Sequence, residues 1–223
     1  MPAKLLKIQA RTDYVDEVYR VLLDAISEGS IAPGTRIVQE EIAEQLAVSR
    51  SPVLQAFRLL KKDGLVEDAP GRGLQVTPLD PERIGHLYEL RGALDSLAAR
   101  LAARRHVKLD KALIAHGRKL ANGKDIKAMI EADMAFHLAI YTASGNPLIV
   151  ENARLHWMHL RRVMGAVHRV VGQRKTVWDE HAAISEAIAK GDEELAAKLS
   201  LQHTEAARES LVNHMSEAVT SAE

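Results

Sequence analysis

The chain has no cysteine among its 223 residues, which excludes disulfides and thiolate metal sites. Aromatic residues make up only 4% of it, so a core has to be built from Leu, Ile, Val, Ala and Met. That composition favours helices over sheets. No apolar run approaches the roughly 20 residues that a membrane span needs, so no membrane association is expected. Met1–Ala10 has neither a long apolar stretch nor a small-residue cleavage site, so it does not read as a secretory signal, and a cytoplasmic protein is expected. Charge of either sign is also missing in excess, with 30 Lys and Arg against 30 Asp and Glu. This counts against nucleic-acid binding through bulk charge. What remains is a chain of ordinary globular composition, long enough for two domains.

The charge is arranged even though it sums to nothing. Residues 1–78 hold 10 Lys and Arg and 11 Asp and Glu. Lys4, Lys7 and Arg11 make a basic tail, and Arg50, Arg58, Lys61, Lys62 and Arg72 fall close together. Glu40, Glu41 and Glu44 precede them. A local basic face suffices for phosphate contact if it is the face that docks.

Val15, Val18, Tyr19, Leu22, Leu23 and Ile26 recur at helical spacing, which predicts an amphipathic helix over Asp13–Glu28. Thr35–Gln45 reads as a short second helix and Ala47–Val48 as a tight turn. Ser49 suits an N-cap, and Pro52 suits the first turn of a third helix, where its missing N–H costs nothing. That helix runs to Asp63 and stops at Gly64, with Val53, Ala56, Phe57 and Leu60 on its inner face. Leu65–Glu67 and Leu74–Val76 flank Pro70-Gly71-Arg72-Gly73, a hairpin with a basic tip. Three helices and a two-stranded wing make a winged helix-turn-helix. In such a unit Arg50, at the start of the recognition helix, suits bidentate contact with a guanine edge. Ser49 and Ser51 suit phosphates, and Arg72 suits the minor groove or the backbone.

Three stretches carry a family resemblance: Ile31–Ile37, Glu41–Val53 and Leu59–Val66. Together they resemble the DNA-binding domain of GntR-family bacterial transcription regulators. The resemblance implies a dimer that reads a palindromic operator in double-stranded DNA. One position departs from it. The family usually has a second Arg four residues after the first, and here that residue is Leu54, followed by Gln55. Gln55 or Arg58 is left to supply the missing contact.

Thr77-Pro78-Leu79-Asp80-Pro81 reads as a linker, which puts a domain boundary after residue 78, and Asp80-Pro81-Glu82 reads as a helix start. Beyond it there is no strand signal. Helical patterns cover about 82–105, 108–121, 124–143, 147–171, 175–190 and 192–215, punctuated by Asn122-Gly123, Ser144-Gly145-Asn146-Pro147, Gly172 and Gly191-Asp192. The expected fold of residues 79–223 is an all-α bundle of six to seven helices, so the chain is mainly α.

Asp133 and His137 lie four apart on the third bundle helix, hence on one face. Ile130, Met134, Leu138 and Tyr141 suggest that this face turns inward. His181 and His203 sit beside apolar residues on the fifth and sixth helices. Three imidazoles and one carboxylate meeting in a core would suit a divalent ion such as zinc, nickel, iron or manganese. The Asp133–His137 pair taken alone fits a hydrogen bond on a helix surface better than a metal site. Glu82/His86 and His156/His159 read as ordinary polar helix positions.

The bundle resembles the FCD-type ligand-sensing domain of the FadR branch of GntR regulators. The residues that carry the likeness are Asp133-x-x-x-His137, Trp178-Asp179-Glu180-His181, His203 a further 22 residues on, and Glu89-Leu90-Arg91 with Asp95. It implies that all four metal positions are filled, with zinc the first expectation, and that a small carboxylate-bearing metabolite binds beside the ion. Arg91 is the first candidate for a bidentate grip on that carboxylate, and Arg161 or Arg162 the second. Trp178 either walls the cavity or packs at a helix start.

The function expected is a transcription regulator, a repressor before an activator, whose DNA affinity changes when the metabolite binds. Two alternatives stand beside it. A metal-dependent hydrolase-like enzyme would consume its ligand where a sensor only binds it. A DNA-binding protein with a purely structural metal would unfold on chelation.

Overall fold

The computed structural model describes residues 14–121, 123–171 and 176–220. Lys4, Lys7 and Arg11 of the basic tail, Asn122 and Gly172 lie outside the described residues. Backbone contacts group α1 as far as Ile26 with Pro33–Thr77, and Ser27–Ala32 with the chain from Pro78 onward.

The first unit contains α1 (Tyr14–Ser27), β1 (Arg36–Ile37), α2 (Gln39–Gln45), α3 (Arg50–Lys62), β2 (Val66–Asp68) and β3 (Leu74–Val76). The apolar stripe of α1 is inside at Val18, Leu22 and Ile26, and that of α3 at Val53, Ala56, Phe57 and Leu60. The Tyr19 hydroxyl donates to Asp63 Oδ2 at 2.6 Å and ties α1 to the end of α3. Burial and that carboxylate hold the Tyr19 pKa well above its ordinary value. Ala47, in the turn between α2 and α3, has φ +52°, a left-handed conformation for which the helix-turn-helix bend uses alanine rather than glycine.

Three expectations are corrected here. The second helix starts at Gln39, not Thr35, because Arg36–Ile37 is a strand: Arg36 pairs with Gln75 and Ile37 with Leu74. The wing is therefore part of a three-stranded antiparallel sheet of order β1-β3-β2, not a two-stranded ribbon. Its first hairpin strand is also one residue later than expected, over Val66–Asp68.

The second unit is a bundle of α4 (Pro81–Arg104), α5 (Lys111–Ala121), α6 (Ile126–Ala143), α7 (Pro147–Val171), α8 (Val177–Lys190) and α9 (Glu193–Thr220). Asp80 caps α4, its carboxylate accepting from the backbone N–H of Glu82 at 3.0 Å and of Arg83 at 3.3 Å, with Pro81 in the first turn. Asp125 caps α6 in the same way through the N–H of Ala128. Gly191 ends α8 at φ +77°, where the N–H of Asp192 reaches back to the carbonyl of Ala187. The alanines of α4 (Ala98, Ala99, Ala102 and Ala103) are fully buried. They join Phe136, Ile140, Ile184 and Ile188 in the main core. Small residues let α4 and α9 run close together; a Cβ on Gly92 would stand 3.1 Å from Leu201. Among the described residues no helix is long and apolar enough to cross a membrane.

Candidate metal centre and nucleic-acid interface

α6 delivers Asp133 and His137 one turn apart, α8 delivers His181 and α9 delivers His203. All four are buried, and one ligand atom from each lies within 4.8 Å of the others. His181 Nε2 stands 3.2 Å from His203 Nε2 and 3.6 Å from Asp133 Oδ1. His137 Nε2 stands 3.8 Å from Asp133 Oδ2. Ligand atoms at the ~2.0–2.1 Å bond lengths of a tetrahedral zinc site are about 3.3 Å apart. The donor set therefore fits a divalent ion.

Two further observations support that fit. His203 Nδ1 lies 2.7 Å from Glu180 Oε2, so a proton on Nδ1 leaves the Nε2 lone pair facing the cluster. Among the described residues the buried His137 Nε2 has no hydrogen-bond partner, an arrangement that costs free energy unless a cation takes the lone pair. Burial, with the charges of Arg91, His181 and His203, pushes the His137 pKa well below its ordinary value. The imidazole is thus neutral, as a metal ligand must be.

Asp95 of α4 links the cluster to its surroundings. It accepts hydrogen bonds from the hydroxyls of Tyr141 on α6 and of Thr204 on α9, the second at 2.9 Å. His137 Nδ1 is 3.6 Å from Asp95 Oδ2, and Arg91 Nε is 3.2 Å from the same oxygen. Arg91 also reaches to 3.9 Å from Asp133 and lies over the Tyr88 ring. Burial works against the charge of Arg91, but Asp95, Tyr88, Tyr141 and Asp133 more than offset it and raise its pKa. Burial first and Asp95 second raise that of Tyr141. Burial also carries Tyr88 to about 12. Phe136 stacks on His181 with ring centroids 4.1 Å apart, and Trp178 meets His181 edge-on at 4.7 Å.

Of the effector candidates, the structure brings Arg91 and Trp178 to the cluster. Arg162 is the buried member of its pair and Arg161 is half-buried, both on α7. A crevice of about 10 Å³, room for about one water, lies between α4, α6 and α7 against Arg91 and Tyr141. Its apolar wall includes Leu87, Leu94 and Trp157, and His156 lines it too. Glu180, Thr204, Tyr141 and Phe136 were not identified as site residues from the sequence. Glu180 was within sight, next to His181, but its partner is 23 residues away on another helix.

In the winged unit Arg50, Ser51, Leu54, Gln55 and Arg58 share the exposed side of α3, and Arg72 is exposed at the wing tip. Arg50 forms an ion pair with Glu40 of α2 at 3.0 Å. The Gln55 amide donates to the Ser51 hydroxyl at 3.4 Å. Ser49 stands at the N-cap position with extended backbone, but its side chain makes no capping hydrogen bond.

Residues 14–76 match the bacterial regulatory proteins of the GntR family, and residues 86–206 match the FCD domain. An HTH-type transcriptional regulator of Streptomyces ambofaciens is 30% identical over 198 residues, covering 85% of this chain and 81% of that protein. The galactonate operon transcriptional repressor of Escherichia coli (strain K12) is 27% identical over 217 residues, covering 83% of this chain and 91% of that protein. A GntR regulator from Rhodococcus sp. RHA1 has a similar structure, with a TM-score of 0.73 at 28% identity over 91% of this chain and 99% of that one. An enzymatic role for the His/Asp cluster is thereby set aside: the chain belongs to the GntR family of bacterial transcription regulators, with an FCD domain behind its winged helix-turn-helix.

Proposed function

We propose that this regulator is a repressor that binds a palindromic operator as a homodimer and changes its DNA affinity when a small carboxylate-bearing metabolite binds beside a divalent metal, zinc first. Residues 1–78 are the DNA-binding domain, and residues 79–223 are the metal-, effector- and dimer-forming domain. The observation that carries the reading is the buried cluster of Asp133, His137, His181 and His203, drawn from three helices with a partner carboxylate behind His203. The ion would supply a positive charge to a bound carboxylate. Arg91, already poised between two carboxylates, would exchange one of them for the effector. Trp178 would wall the site, and Arg162 ahead of Arg161 would be the second cation. Repression and an acidic metabolite have support in the E. coli relative, which is the repressor of a galactonate operon. Arg50 would read a base, with Gln55 and Arg58 beside it, while Ser49, Ser51 and Arg72 would hold the DNA backbone.

One observation favours a second reading, a metal that serves structure alone. Four buried protein ligands would complete a tetrahedral shell and leave no open position. Metal analysis of wild-type protein and His137→Ala, prepared without chelating resin, tests the site. Stoichiometric metal in the first and none in a folded second is the expected result. Metal in neither, with none taken up on titration, overturns the metal site. Operator binding is then followed with a panel of carboxylates before and after chelation. Loss of the carboxylate response with the fold intact supports sensing, whereas unfolding on chelation supports the structural metal.

A further inference from the structure

We propose that Leu54 reads the 5-methyl group of a thymine, so that the operator carries an A·T pair one to two steps along the groove from the base met by Arg50. The inference rests on α3 being the helix that enters the major groove.

α3 divides sharply. Val53, Ala56, Phe57 and Leu60 are buried, and Arg50, Ser51, Leu54, Gln55 and Arg58 face outward. Leu54 is 41% exposed. It is four residues after Arg50 and four before Arg58, which sets it about 6 Å along the helix axis from each and on the same stripe. Gln55, the next residue and also exposed, has its amide turned back to Ser51. An apolar side chain thus occupies the middle of an otherwise polar surface, with its body outside the core. Leu59 is exposed as well, but it lies about 140° around the helix and in its C-terminal half, away from the turns that meet base edges.

The major-groove edge offers one sizeable apolar group, the thymine methyl, where cytosine has only a C5 hydrogen; the other base-specific features there are donors and acceptors. Leucine can supply neither. Against a G·C pair it would strip water from acceptors and donors and give nothing back, which is costly. Against thymine it covers a methyl group and gains apolar contact that offsets the water it displaces. The same side chain therefore favours one pair and penalises another, so position 54 sets specificity as well as affinity.

The test starts with duplexes enriched from a random library by the full-length protein. Each thymine of the enriched site is then replaced in turn by uracil, which removes only the methyl group. Wild-type protein is expected to lose about fourfold in affinity at one thymine, the effect of uncovering one buried methyl. Leu54→Ala, melting at the wild-type temperature, is expected to show no loss at that thymine. Leu54→Gln is expected to enrich a different base there. Uracil tolerated at every position, or the same methyl effect in Leu54→Ala, overturns the proposal while leaving α3 as the reading helix, provided that Arg50→Ala still abolishes enrichment. No enrichment by wild-type protein, or enrichment indifferent to Arg50→Ala, removes the reading helix itself and this proposal with it.

Discussion

In the winged unit Arg50, Ser51, Gln55, Arg58 and Arg72 reach solvent, and a separate apolar set behind them holds the fold. In the bundle Arg91, Asp95, Asp133, His137, His181 and His203 are themselves interior. The first arrangement separates function from stability. The second joins them, because a buried polar group is tolerated only while its partners are in place. Substitutions should therefore sort by region: in the bundle they move stability and binding together, and on α3 they move DNA affinity alone.

The largest effect is expected at Asp95. Replacing it by Ala takes a carboxylate acceptor from the Tyr141 hydroxyl, leaves the Thr204 hydroxyl only the Ser200 carbonyl, and leaves Arg91 a buried cation whose remaining carboxylate is the more distant Asp133. Breaking a buried pair in this way costs about 3–5 kcal/mol. Denaturant unfolding of the full chain measures it. A loss below ~1 kcal/mol would mean that Asp95 does not bridge α4, α6 and α9, and the contrast between the two regions would fail.

Gly117 comes next. A Cβ there would lie 2.0 Å from the Trp178 indole, so Gly117→Ala must move α5 or the ring that abuts His181. Overpacking of this kind costs about 1–3 kcal/mol. If the metal site lies behind that ring, metal affinity should fall with stability; unchanged affinity in a destabilised variant would separate the two.

Acid should distinguish the regions as well. The folded-state pKa of His137 lies well below its ordinary 6.5, so the unfolded chain binds more protons once the pH drops under that value. The stability that neutral His137 contributes is present above about pH 6.5 and is lost as the pH falls toward its folded pKa. In metal-free protein the slope of unfolding free energy between about pH 5 and 6.5 is expected to flatten in His137→Gln. An unchanged slope would place the titration elsewhere.

The parts of this design differ in how well the sequence displays them. The six bundle helices are legible because each has its own period and ends: Asp80 and Pro81 open α4, Asp125 opens α6, and Gly191 closes α8. The four cluster residues are legible through the FCD resemblance, because Asp133 and His137 sharing a face is by itself a weak signal in a chain with 10 histidines. β1 is not legible, since two residues have no period and its pairing with Leu74 and Gln75 is non-local. Nor is the role of Asp95 as a junction. Its partners come from α6 and α9, and which side chains meet it depends on how those helices pack. The Gly117–Trp178 contact depends on the same packing.

The smallest effect is expected at Glu40. It holds Arg50 at 3.0 Å with both side chains largely in solvent, and an exposed pair of this kind contributes about 0–1 kcal/mol. Glu40→Gln should therefore leave the melting temperature where it is. For the proposed guanine contact Arg50 has to leave Glu40 first, and the carboxylate would also repel nearby phosphates. Removing its charge should raise operator affinity a few-fold at low salt, with the gain fading as salt is added. Fluorescence anisotropy on an enriched duplex at two ionic strengths would show it. A drop in affinity would instead assign Glu40 to orienting Arg50 for the base, and the α3 surface would then depend on its neighbours as the bundle core does.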